Sequence, residues 1–290
     1  MRKSIFLFAC ILLSGTTITQ ARTKPAYLLF DGQGVEVDYS QMLEQASHAD
    51  MILFGELHNN PIAHWLQLEL TSDLFDMKGQ QLTLGAEMFE ADNQLILEEY
   101  LAGTITERNF TAEAKLWNNY QTDYRPLVEF AREHGLRFIA TNIPRRYASL
   151  VHREGFEALE ELSDQAKSYI APLPILYDPE LPAYKAMLEM TGLPAHANEN
   201  FPKAQAIKDA TMAHFIYTNL QGGGTFLHFH GAYHSNHYEG ITWYLRQLSD
   251  RANIMTISTV EQDDPSVLSE EHLGLADVII VVPTTMTKTY

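Results

Sequence analysis

Apolar residues fall along this 290-residue chain in short runs separated by amphipathic stretches. The runs at 51–54, 81–88, 136–141, 225–229, 254–258 and 278–282 have the length and apolar density of buried strands. Between them, 39–48, 92–101, 124–134, 201–220 and 238–248 read as helices, the last with the stripe Ile241, Tyr244, Leu245 and Leu248. Asn60 is placed to cap a further helix with Pro61 in its first turn, and Ile62, Trp65, Leu66 and Leu70 give it an apolar stripe to about Phe75. The free N–H groups at its start favour an anion there. The runs 27–30 and 35–38 flank a Gly-Gln-Gly turn and predict a small hairpin. Short strands alternating with helices of ten or more residues predict an α/β fold, a mainly parallel sheet flanked by helices.

One stretch breaks the alternation. About 155–200 is helical and acidic at first, then punctuated by Pro172, Pro174, Pro179 and Pro182 with Tyr169, Tyr177 and Tyr184 between them. It predicts a helical insertion over the sheet edge, a lid or an interface. Residues 22–290 otherwise read as a single domain. At the start, Arg2 and Lys3 precede an apolar stretch from Ile5 to Leu13 and small polar residues up to Ala21, the layout of an export signal at 1–21. The expected location is outside the cytoplasm, periplasmic or associated with an outer membrane. Cys10, the single cysteine, lies in this segment, where a lipid anchor is an alternative to an ordinary signal residue. The mature chain would hold no disulfide and no thiol nucleophile. The formal charge of -17 becomes -19 once the two cations of the signal are removed with no acid. Such a surface repels phosphate backbones, so nucleic acid is excluded as a partner.

Candidate chemistry gathers at two signatures, Gly55-Glu56-Leu57-His58 and Gly231-Ala232-Tyr233-His234, each following a strand-like run. A glycine there lets the backbone turn or approach another group closely. The histidine then stands at the strand's carboxyl end, the ligand-binding edge of an open α/β sheet. Glu56 beside His58 is suited to orient an imidazole, raise its basicity or share a metal with it; a loop surface pair is the plain alternative. Glu87 brings a third polar group from the 81–88 strand, where a buried carboxylate has to be paired or protonated. Arg145, after the 136–141 strand and a proline, offers a forked cation to a carboxylate, or is simply solvated. His228 and His230 share one face of their strand, as a metal or proton-transfer pair or as core histidines. No phosphate loop, nucleophile elbow or His-Glu-x-x-His helix is present.

Taken together, Gly55-Glu56-Leu57-His58 with Asn59, Gly85-Ala86-Glu87-Met88-Phe89, Asn142-Ile143-Pro144-Arg145, the segment Ala204-Gln205 with Asp209 and Met212-Ala213, and Gly231-Ala232-Tyr233-His234 resemble the ChaN-like haem-binding uptake family of the Tiki superfamily, over roughly 40–260. The resemblance implies an exported protein that binds haem noncovalently in bacterial iron acquisition. Arg145 would meet the propionates, and Tyr177, Tyr184 or His196 would ligate the iron. A homodimer and outer-membrane haem-uptake machinery would be its partners besides haem. The alternative it implies is a metal-dependent hydrolase, protease or esterase. Glu56, His58, Glu87 and His234 would then be catalytic, with a divalent metal ion held among His58, Glu87, His230 and His234.

Overall fold

The computed structural model describes residues 24–189, 199–220 and 222–290. The expected signal with Cys10, and His196, lie outside the described residues. The strands are β1 (Leu28–Asp31), β2 (Glu36–Val37), β3 (Met51–Glu56), β4 (Leu82–Glu90), β5 (Arg137–Asn142), β6 (Thr225–Gly231), β7 (Ile254–Gln262) and β8 (Val278–Pro283). The helices are α1 (Tyr39–Ser47), α2 (Pro61–Lys78), α3 (Gln94–Leu101), α4 (Glu107–Glu113), α5 (Arg125–His134), α6 (Arg145–Glu154), α7 (Asp164–Lys167), α8 (Pro182–Glu189), α9 (Asn200–Asn219) and α10 (Ile241–Leu248).

One eight-stranded sheet runs in the order β2-β1-β8-β7-β3-β6-β4-β5. Strands β3 to β8 pair in parallel, and β1 adds an antiparallel edge through β8 and β2. The expected mainly parallel α/β architecture is the observed one. Strand β6 lies between β3 and β4, so the two sequence signatures sit side by side. Strand alternation sends Ile52, Phe54, Leu227 and Phe229 into a core with Leu66 and Leu70 of α2 and Leu127 and Val128 of α5. The opposite face takes Met51, Leu53 and Phe226 against Ala213 and Ile216 of α9 and Leu245 of α10. With helices on both faces, the central strands are buried along their whole length, which is why they read as continuous apolar runs.

Several boundaries move. Strands β3, β4 and β6 each extend past the apolar run, because parallel pairing continues through the polar site residues. The stretch after Pro144, to which the sequence assigns no element, is a helix, α6: an exposed basic face hides the short apolar stripe of Ala148 and Val151. A π-helical turn, Tyr120–Tyr124, leads into α5 and was not foreseen. Asn60 caps α2 as expected, its side-chain oxygen accepting from the N–H groups of Ile62 and Ala63 at 3.0 and 3.2 Å. That satisfies the helix start internally and corrects the expectation of an anion there. In the insertion, α8 packs on α9, with Tyr184 and Met187 buried against Ala206.

The signature glycines serve close approach and not a left-handed turn. Gly231 has φ -61° and ψ 134°, ordinary extended backbone. A Cβ on Gly55 would lie 2.8 Å from Cα of Ala232, and one on Gly231 would lie 2.7 Å from Nε2 of His58. Each glycine thus makes room for the other signature. Gly55→Ala is expected to destabilise the fold by about 1–3 kcal/mol through overpacking, whereas Gly222→Ala, where a Cβ meets nothing within 4 Å, leaves stability nearly unchanged. Urea unfolding midpoints of the two variants decide this; equal midpoints would contradict the close-approach account.

Candidate functional site

The site lies at the carboxyl ends of β3, β6 and β4. Parallel register sets Gly55 opposite His230 and Glu56 opposite Gly231. On the α2 side, Glu56 is 1% exposed and its carboxylate is saturated by donors. Oε1 meets Nδ1 of His58 at 2.9 Å and the Tyr124 hydroxyl at 2.7 Å, and Oε2 meets the Gln67 amide at 2.5 Å. The ring of His58 is therefore fixed through Nδ1. Its side chain is 36% exposed, and among the described residues Nε2 has no hydrogen-bond partner. Burial pulls the His58 pKa down, but the hydrogen bond that its Nδ1 donates to Glu56 and then the field of Glu87 outweigh it and leave it raised. Trp117 stands edge-on to the ring, 4.9 Å between centroids.

On the α9 side, His234 sits on the 3-10 turn Ala232–His234 that follows β6. Its Nε2 is 3.2 Å from Oε1 of Glu87, and its Nδ1 is hydrogen-bonded to Asp209 of α9. The second Glu87 oxygen accepts the N–H of Gly231 at 2.8 Å, and Asp209 also accepts the hydroxyl of Tyr184 at 2.9 Å. Burial disfavours the His234 charge, yet the two carboxylates overcome it and push its pKa up to about 10. Glu87 is held well below the usual carboxylate range: burial works against this, and the His234 charge wins. Burial pushes the Asp209 carboxyl up, with His234 opposing. One imidazolium serving two carboxylates is the arrangement that leaves the fewest buried charges unpaired, so the proton belongs on His234.

Beneath this pair, His228 and His230 form a buried string. Nε2 of His228 meets the Thr141 hydroxyl at 2.7 Å, the two Nδ1 atoms are 3.1 Å apart, and Nε2 of His230 meets Ser235 at 2.8 Å. Burial, then the charge of His234, pushes His230 down to about 3; burial, then His230, holds His228 well below its ordinary value. Both rings are neutral packing and hydrogen-bonding groups.

Two adjoining cavities open at this edge, and Tyr290 lines both. One, of about 670 Å³, includes Glu56, Leu57, His58, Gly231, Tyr233, His234 and Val260. The other, of about 460 Å³, includes Glu87, Trp117, Asn142, Ile143, Arg145 and Lys208. The tail leading to Tyr290 is pinned across the edge by Thr289, whose N–H donates to the Asn59 carbonyl at 3.0 Å and whose hydroxyl reaches Asp123 at 2.8 Å.

Glu56, His58, Glu87, Arg145 and His234 are thus gathered at one strand edge, although Arg145 lies in the smaller cavity, away from His58. The metal set needs correction. Both nitrogens of His230 are taken by His228 and Ser235, and both of His234 by Glu87 and Asp209, so His58, Glu87, His230 and His234 do not aim at a common point. Among the described residues no group of three or more such side chains is arranged to hold a metal ion. The tyrosines of the insertion also fall elsewhere: Tyr184 is buried with its hydroxyl on Asp209, Tyr177 packs edge-on against Phe156 and tilted against Tyr184, and neither lines the two cavities. The partners Gln67, Tyr124, Asp209 and Lys208 were not given roles by the sequence reading. Polar residues inside otherwise apolar helices, such as Gln67 among Leu66 and Leu70, are the signal that marks them.

The architecture is that of an open α/β sheet with its site outside the strand ends, and the comparisons place it further. The chain belongs to the haem-binding uptake family of the Tiki superfamily, ChaN, whose profile matches residues 42–245. The curated protein RETICULATA-RELATED 5, chloroplastic, of Arabidopsis thaliana is 24% identical over 220 residues, 71% of this chain and 30% of that protein. The chain therefore spans about 30% of the length of that relative. Among solved structures, the one described as cofacial heme binding to ChaN of Campylobacter jejuni superposes with a TM-score of 0.67 at 16% identity, covering 88% of this chain and 96% of the other. An erythromycin esterase mutant in its open conformation gives a TM-score of 0.50 at 10% identity over 90% and 98% of the two chains. Both share the fold.

The charge state of His234 has a measurable consequence. Its folded pKa lies above the ordinary 6.5, so its pairing stabilises fully below about pH 6.5 and is lost as the pH rises through about 10. Glu87 has the opposite sign: its contribution is present above the ordinary 4.5 and is lost as the pH falls through its depressed folded value. Stability is therefore expected to fall from pH 7 toward pH 10, and Glu87→Gln should flatten that fall. An NMR titration in which His234 deprotonates near pH 6.5 would contradict the assignment.

Proposed function

We propose that this protein binds haem noncovalently at the carboxyl edge of its sheet, as an exported component of bacterial haem and iron acquisition. Family membership supports the ligand. The observation that carries the site is His58, a half-exposed imidazole with one nitrogen locked by a buried carboxylate and the other without a partner among the described residues. Haem iron takes an axial histidine, and a carboxylate behind the ring fixes its tautomer and raises its basicity as a ligand. The walls of the two cavities fit a flat apolar ring: Leu57, Ala232, Val260 and Leu275 on one side, Leu116, Trp117, Ile143 and Ala148 on the other. Tyr233, whose phenol is pushed up to about 12, chiefly by burial, and donates to the Ala183 carbonyl, is poorly set to bind iron as a phenolate. Because the edge is open, a second copy of the chain is proposed to cover the exposed haem face, and delivery from outer-membrane haem-uptake machinery is the proposed source of the ligand.

A hydrolytic role for the same edge is the second reading, and the His58–Glu56 pair is what favours it. With its ring held by Glu56, neutral His58 is positioned to take a proton from water, and Glu87 lies close enough to influence its charge. The donor geometry does not favour a metal in this role, so His58 would act as the base itself.

Haemin titration of the purified protein separates the readings. Saturable binding with a shifted absorption band is expected. His58→Ala should weaken it at least about tenfold, roughly 1.4 kcal/mol, and change the band, whereas Tyr177→Phe should leave both unchanged. A weak, unsaturable signal in the wild type would reject haem binding, and esterase turnover lost in His58→Ala would then put the second reading first.

A further inference from the structure

A segment that belongs to none of the signatures lies across the site. Strand β8 ends at Pro283, and the residues that follow, Thr-Thr-Met-Thr-Lys-Thr-Tyr at 284–290, carry no strand or helix pattern of their own. The N–H of Met286 donates to the Pro283 carbonyl at 2.9 Å and turns the chain over the sheet edge. The segment then passes the end of β7, where Lys288 is ion-paired with Glu261, and reaches the loop after β3. There Thr289 is fixed twice, by the Asn59 carbonyl at 3.0 Å and by Asp123 at 2.8 Å. Both anchors are tied to His58: Asn59 is the next residue, and Asn119, bonded to Asp123, donates to the His58 carbonyl at 2.9 Å. The family profile covers 42–245, so membership in the family assigns this segment nothing.

These contacts deliver Tyr290 to the junction of the two cavities, both of which it lines. Tyr290 is 66% exposed, so most of its surface is left for something else to bury. Burial, then the fields of Glu56 and Asp123, raise its phenol above the ordinary value, which keeps it neutral and places it near the carboxylate behind His58. The segment is held by one partly exposed ion pair and a few hydrogen bonds, with side-chain exposures of 32% for Lys288 and 24% for Glu261. A segment with so few buried contacts opens locally at little cost, and an edge segment that opens and recloses controls how a ligand enters and leaves.

We propose that segment 284–290 is a strap that closes over a flat ligand bound at His58, and that Tyr290 is the aromatic wall that slows the ligand's departure. This rests on the haem reading above and adds to it a binding residue contributed from outside the family profile. Tyr290 acts by packing its ring on the ligand and not by ligating iron, as a neutral phenol is a poor partner for it. Lys288 and Thr289 are positioning residues: they keep the ring at the junction by tying it to β7 and to the loop that carries His58. Such a wall changes the dissociation rate more than the association rate, which is where most differences between related complexes lie.

The test is stopped-flow haemin binding to the full chain, with release measured by capture in excess apomyoglobin. Tyr290→Ala is expected to raise the dissociation rate about tenfold, with association as fast as in the wild type or faster. Its absorption band should stay that of the wild type. Tyr290→Phe should restore the slow release, and Lys288→Ala, which loses only a partly exposed ion pair, should raise the rate about twofold to threefold. Tyr217→Ala, at an exposed tyrosine beside the opposite end of the sheet, should change neither rate. Equal dissociation rates for the wild type and Tyr290→Ala would overturn the strap and leave the haem reading standing. Slower release from Tyr290→Ala would overturn it too, as the mark of an obstruction, and a changed band would make Tyr290 a ligand and not a wall. Absence of saturable haemin binding by the wild type would overturn the haem reading and the strap with it.

Discussion

The molecule depends on a reciprocal close approach between its two signatures. Gly55 leaves the space in which Ala232 turns over the end of β3, and Gly231 leaves the space that the imidazole of His58 fills. Parallel register makes this exchange: with Glu56 opposite Gly231, the first residue after β6, Ala232, falls against Gly55, and the second residue after β3, His58, falls against Gly231. A Cβ at Gly55 would run into the backbone of Ala232, and one at Gly231 would displace the imidazole of His58. Glu56, His58 and His234 inherit their placement from this contact, because each lies within three residues of one of the two glycines.

Charge is then divided by face. On the α2 side, Glu56 is surrounded by donors from His58, Gln67 and Tyr124, so a buried carboxylate holds a half-exposed imidazole in one orientation. On the α9 side, His234 carries a proton between Glu87 and Asp209, and this ties α9 to the ends of β4 and β6. The neutral His228–His230 string beneath it exists because a second buried imidazolium beside His234 would be costly. Tyr184 extends the network into the insertion through Asp209, which connects the 155–189 segment mechanically to the site without bringing its tyrosines to the cavities.

The sheet was legible because its central strands are buried on both faces, and such strands announce themselves as unbroken apolar runs. The strand-end residues were legible for a related reason: Glu56, Glu87 and His234 are polar groups where an apolar run stops. Helix α6 was hidden by a basic exposed face, and the π-turn at Tyr120–Tyr124 by the lack of any composition that distinguishes it from a helix start. The metal set failed because sequence proximity to a strand end says nothing of hydrogen-bond commitment: His230 is spent on His228 and Ser235, and His234 on two acids. The insertion's tyrosines were attractive by composition, but their burial against α9 is a tertiary fact.

The central claim is that the open carboxyl edge at His58 receives haem iron. An anomalous-difference map collected at the iron edge from crystals grown with haemin tests it most directly. The account predicts one strong peak beside Nε2 of His58, with density for the ring reaching toward Trp117. A peak against Tyr177 or elsewhere under the insertion, or no ordered peak at saturating haemin, would contradict it.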